Sequence, residues 1–105
     1  MSRSPGTGLP DVPAARPLPA LIDHTLLRPD GRLEDVERLL DEAVGHQMAA
    51  AVLLPRWVPL AARRLEGTGV AVCSVVGFPL GHEYPEVLFT AATRLASEGA
   101  DELDM

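Results

Sequence analysis

Two short runs constrain this chain more than anything else in it. MAAAVLL (residues 48–54) is apolar at every position, and VAVCSVV (70–76) is nearly so and rich in β-branched residues. Runs of that length without alternation suit strands buried on both faces, as in a parallel sheet. Strands covered on both sides need helices between them, and the intervening segments have helical spacing. Leu33 to Gln47 repeats apolar residues at Val36, Leu39, Leu40, Ala43 and Val44. Trp57 to Glu66 presents Trp57, Leu60, Ala61 and Leu65 on one side and is stopped by Gly67-Thr68-Gly69. Pro85 to Ser97 does the same with Val87, Leu88, Ala91, Leu95 and Ala96. Ahead of these, Ala20-Leu21-Ile22 leads into Asp23-His24-Thr25 as a first strand, followed by turn residues Arg28-Pro29-Asp30-Gly31. The closing GADELDM (99–105) opens a fourth strand.

The order β-α-β-α-β-α-β predicts an α/β fold with a parallel sheet and right-handed crossovers. Two closures satisfy it, an open doubly wound sheet and a (β/α)8 barrel. A nucleotide-binding open sheet usually carries a glycine cradle after its first strand. Here that place holds DHTLLRP, without glycine, which favours the barrel or a piece of one. Residues 1–19 hold five prolines and two glycines with few large apolar residues, and read as a disordered arm; residues 20–105 form the folded unit.

Composition narrows the function. The net charge of −6 argues against a nucleic-acid partner, which calls for clustered cations. No run is long enough to span a membrane, and there is no signal-peptide core. A single cysteine, Cys73, excludes an internal disulfide and fits a reducing, cytoplasmic setting. All nine basic residues are arginine, so the sequence contains no lysine.

In either closure, chemistry gathers at the C-terminal ends of the strands. The polar residues expected there are Asp23-His24-Thr25, Pro55-Arg56, Ser74 with the Gly77-Phe78-Pro79 loop, and Asp104. By alternation Asp104 points inward, with Asp101 or Glu102 as its companion position. Asp23 and Asp104 together could exchange protons with a substrate and its water. Equally, Asp23 could cap a turn while Asp104 is a solvated strand-end acid. His24, His46 and His82 lack paired ligand spacing, so no metal site is expected. Cys73, Trp57 and Phe78 read as packing residues. Arg56 with loop amides is the sole support for a simple anion-binding domain.

The motifs themselves carry a resemblance. IDHTLLRPD, VLLPRWVPLAARRLEGTGVAVCSVVGFPLG and EGADELDM, in that order and spacing over about residues 21–105, resemble the N-terminal half of the deoxyribose-phosphate aldolase family. The resemblance implies a partial (β/α)8 barrel, strands one to four with three helices, cut soon after its fourth strand begins. It implies reversible Schiff-base cleavage of 2-deoxy-D-ribose 5-phosphate to glyceraldehyde 3-phosphate and acetaldehyde, without metal or organic cofactor. Asp104 falls at the family's proton-relay aspartate, and Asp23 with Thr25 in the network around the substrate hydroxyls. The family's lysines stand on later strands, so this chain alone is expected to be inactive. The alternative is a non-catalytic half-barrel serving as an interaction or structural module, whose unpaired edges invite a homo-oligomer. Two stretches depart from the family pattern: apolar Val52-Leu53-Leu54 before Pro55, and the Gly81-His82-Glu83-Tyr84-Pro85 loop.

Overall fold

A computed structural model describes residues 17–105; residues 1–16, most of the expected arm, lie outside the described residues. Four strands run parallel: β1 (Asp23–Leu26), β2 (Ala50–Leu53), β3 (Ala71–Val75) and β4 (Glu102–Asp104). Helices α1 (Leu33–Gly45), α2 (Val58–Leu65) and α3 (Pro85–Ser97) connect them. The sheet order is β1-β2-β3-β4, each strand beside its successor. A doubly wound sheet reverses order at a switch point and carries helices on both faces. Here the order never reverses and all three helices pack on one face, so the architecture is an arc of a (β/α)8 barrel.

That helix face holds the main core. Alternation along β2 and β3 sends Ala51, Leu53, Val72 and Val76 toward Val36, Leu39, Leu40 and Ala43 of α1, Val58, Ala61 and Leu65 of α2, and Leu95 of α3. Burying a side chain such as Leu40 or Leu53 stabilises the fold by roughly 1.5–3 kcal/mol. Backbone chemistry sets the helix limits. The Arg32 N–H donates to Asp35 Oδ2 at 2.9 Å, and Glu34 and Asp35 place negative charge in the first turn of α1. Gly99, at φ 112°, closes the end of α3 so tightly that a Cβ there would lie 2.5 Å from Ala62 Cβ.

Several boundaries differ from expectation. Ala20-Leu21-Ile22 does not begin the first strand; Leu18–Leu21 is a 3₁₀ turn that takes in the end of the expected arm. Pro17 and Pro19 fix its geometry, and their carbonyls accept from Ala20 and Ile22 N–H at 3.0 Å. The DHTL segment is therefore the strand itself rather than its polar tail. The second strand covers four residues of the seven-residue run, since Met48 N–H is used to close α1 on Ala43 O and Pro55 starts a new 3₁₀ turn. Trp57 belongs to that turn, and α2 begins after it. Among the described residues no helix is long and apolar enough to cross a membrane.

Candidate functional site

The face of the sheet without helices is the one that could hold a substrate. Register and alternation place Asp23 beside Ala50 and Ala71, then Thr25 beside Val52, Cys73 and Glu102, then Val75 beside Asp104. Ala50, Val52 and Cys73 form a small apolar cluster here, with Leu27 and Ala71 packed against it. Around this cluster stand three exposed carboxylates, Asp23, Glu102 and Asp104. Asp23 and Asp104 share the face on strands at opposite edges of the sheet, but four register positions apart: Asp23, expected at the C-terminal end of its strand, is instead the first residue of β1, because the 3₁₀ turn before it takes up Leu18–Leu21. Thr25 shares the row of Val52 and Cys73, and its hydroxyl donates to Asp23 O at 3.2 Å.

The acids register on the one titratable group beneath them. Burial pushes the Cys73 thiol up to about 11, and the negative charges of Glu102, Asp23 and Asp104 push in the same direction. A thiol held that firmly protonated is a packing group rather than a nucleophile. Asp104 is the acid with a cavity. Together with Met105, Leu27, Val75 and the 77–81 loop it bounds a pocket of about 420 Å³ at the C-terminal end of β3 and β4. Gly77 shapes that loop: its φ is 69°, and a Cβ would fall 2.7 Å from Leu88 Cδ2.

Other expected residues lie elsewhere. His24 is on the helix face, where its Nε2 is 2.8 Å from Glu42 Oε1 of α1. Ser74 is on that face too, fully buried and donating to Leu53 O at 2.8 Å, so its role is structural. Phe78, expected in the core, is 49% exposed and lines the Asp104 pocket. Trp57 packs against the main core with the Arg56 guanidinium 4.6 Å from its ring centre. Asp101 is clamped to β3, accepting from Val72 N–H at 2.8 Å while its own N–H donates to Val72 O. The companion of Asp104 is therefore Glu102, a choice alternation from Asp104 alone favours. Asp101 belongs to a larger hollow of about 750 Å³ at the opposite ends of the strands, beside Gly67, Gly69 and Glu98. In barrels that end serves stability, and active sites gather at the opposite, C-terminal end, where Asp104 stands. No group of three or more metal-ligating side chains occurs among the described residues.

Comparison with known proteins points the same way. No family model matches the chain. Individual relatives do. A deoxyribose-phosphate aldolase of Acholeplasma laidlawii is 49% identical over 84 residues, 80% of this chain and 38% of its own length. That of Methanothermobacter thermautotrophicus is 47% identical over 95 residues, 90% of this chain and 42% of its own. The chain belongs to the deoxyribose-phosphate aldolase family. Solved members superpose on it: the enzyme of Aeropyrum pernix, described as a tetramer, with TM-score 0.76 and 41% identity over 82% of this chain and 37% of its own. A protein of Coccidioides immitis assigned to the same family gives TM-score 0.79 at 33% identity, covering 82% of this chain and 34% of its own. The chain spans about two-fifths of the length of these aldolases.

Proposed function

We propose that residues 20–105 supply the first four strands of a class I deoxyribose-phosphate aldolase barrel, acting in the cytoplasm on 2-deoxy-D-ribose 5-phosphate. The observation that carries this reading is the position of Asp104, on the face free of helices, at the C-terminal end of β4 and open to the pocket under the 77–81 loop. A carboxylate there can take a proton from a carbinolamine hydroxyl or an adjacent carbon acid and return it through water, which is general acid–base work worth about 10²–10⁴-fold in rate. Asp23 and Thr25 add hydrogen-bonding groups on the same face for substrate hydroxyls. The electron sink is an iminium formed on a lysine, so no metal or organic cofactor is required. These 105 residues contain no lysine, and that amine comes from the remainder of a family barrel.

The test is a chimera in which residues 20–105 replace the matching segment of the Methanothermobacter thermautotrophicus aldolase. Cleavage of deoxyribose 5-phosphate is expected, falling 100-fold or more on Asp104→Asn with the fold intact. Full activity in that variant would remove Asp104 from the relay. A folded chimera without cleavage would favour the non-catalytic half-barrel instead. The isolated 105-residue chain should show no turnover; cleavage by pure material would contradict the need for a lysine.

A further inference from the structure

Asp104 stands on a strand of three residues, and two backbone hydrogen bonds to β3 bracket it. At the upper end the Val76 N–H donates to Asp104 O at 2.9 Å. At the foot the Asp101 N–H donates to Val72 O at 2.7 Å. A parallel ladder repeats every two residues along each strand. Counting back from Val76 and Asp104, the regular acceptor for the Val72 N–H is the Ala100 carbonyl. The Val72 N–H goes instead to Asp101 Oδ2, at 2.8 Å. Ala100 still belongs to the turn that ends α3: its N–H donates to Leu95 O at 3.0 Å, and Gly99 before it has φ 112°. A side-chain oxygen, one residue further on, thus does what the backbone cannot yet do.

Val72 is 3% exposed, which leaves its N–H little access to water and makes an unpaired donor there costly. The carboxylate and the N–H of Asp101 together hold both backbone groups of Val72. Two bonds at the foot of β4 resist a pivot about the upper rung where one would not. Asp104 is three residues along the same short strand, so a tilt that starts at Asp101 carries through to it. A misplacement of about 1 Å at a reacting group can cost about 100-fold in rate.

We propose that Asp101 is a positioning residue for Asp104, setting the tilt and register of β4 from the end of the sheet opposite the site. The inference rests on the relay role proposed for Asp104. What Asp101 supplies is an acceptor at a fixed reach rather than its charge. An amide oxygen at the same reach can replace it; a longer side chain or none cannot.

The experiment compares Asp101→Asn, Asp101→Ala and Asp101→Glu in the aldolase chimera, at a temperature where each is fully folded. Ala and Glu should lower kcat about tenfold or more with KM nearly unchanged, and Asn should stay close to the parent. A purely structural role would cost the same whatever stands at position 104, whereas a positioning role disappears with its object. Asp101→Ala added to Asp104→Asn should therefore change kcat by less than about twofold. Equal losses in the two backgrounds overturn the proposal, and so does an Asn variant as slow as the Ala one. The Glu variant keeps acceptor and charge and serves where Ala does not fold; full activity in it also overturns the proposal. Amide exchange in the 105-residue chain separates this inference from the function. Asp101→Ala should speed exchange of the Val76 N–H, the partner of Asp104 O, about tenfold or more, with Asn near the parent. Unchanged Val76 exchange overturns the positioning even beside an active chimera. Faster exchange beside an inactive chimera upholds it and removes the relay instead.

Discussion

The two faces of one four-stranded sheet differ in almost everything that matters. The helix face is sealed by apolar side chains from three helices, and its polar groups, Ser74 and the His24–Glu42 pair, all have partners. The other face has a thin apolar centre and three acids at its rim. Residues one position apart on the same strand therefore have different duties. Leu53 holds the main core while its neighbour Val52 belongs to the small cluster on the helix-free face. The lesson is that stability and chemistry are divided by the two-residue period of a strand, so each can be altered with limited effect on the other.

The sharpest way to break that division is to truncate the two neighbours in turn. Leu53→Ala should cost about 3 kcal/mol, because a fully buried side chain leaves a cavity that the helices packed over it hold open. Val52→Ala should cost about 1.5 kcal/mol or less, close to the transfer term for two methylene equivalents. Urea midpoints at constant m-value measure both. Equal losses would mean that the helix-free face carries core packing too.

Next in size is Gly99→Ala, which tests the helix face alone. The added methyl meets Ala62 Cβ at 2.5 Å in a backbone conformation, φ 112°, that an L side chain rarely adopts. Overpacking of this kind costs about 1–3 kcal/mol. A thermal midpoint equal to the parent's would show that α2 and α3 are free to part.

How much of this was legible in the sequence follows the same division. Local periodicity located all three helices and all four strands, because burial against helices writes its pattern within each segment. Register is written between segments, so the placing of Asp23, Thr25 and Glu102 in rows with particular partners could not be read locally. His24 and Ser74 were misplaced for one reason: a polar residue was taken as a sign of the functional face. In fact each had a partner on the helix face, Glu42 and the Leu53 carbonyl. Phe78 was assigned to the core on residue type, whereas its loop carries it to the pocket rim. The run Ala20–Ile22 looked like a strand because it is apolar, but Pro17 and Pro19 stand just before it. Their carbonyls impose the turn. The face on which Asp104 lies was legible by alternation.

A smaller effect belongs to the helix-free face. Cys73, ordinarily near 9.0, sits at about 11 in the fold, mainly through burial and then through Glu102, Asp23 and Asp104. The folded state therefore prefers the thiol. This contribution is fully present below pH 9.0, and is lost as pH rises from there through about 11. Cys73→Ala should flatten the loss of stability over that window. At neutral pH the parent should react with a thiol reagent far more slowly than a free cysteine does. Rapid labelling of the folded chain would mean that the apolar cluster opens readily.

The smallest effect lies back on the helix face, at its charged margin. Glu42 is held below its ordinary value of 4.5, foremost by the hydrogen bond from His24; desolvation opposes this, and the charges of His24, Arg38 and His46 lend lesser help. A carboxylate depressed in the fold adds stability above its unfolded value, and that stability disappears as pH falls through the folded one. Glu42→Gln should therefore lower the thermal midpoint slightly near neutral pH and not at all well below 4.5. Salt should shrink the difference, since both side chains reach water. A difference that stayed constant across pH would mean the two side chains matter through packing. The helix face would then owe its stability to apolar contact even at its edge, and the contrast between the two faces would be sharper still.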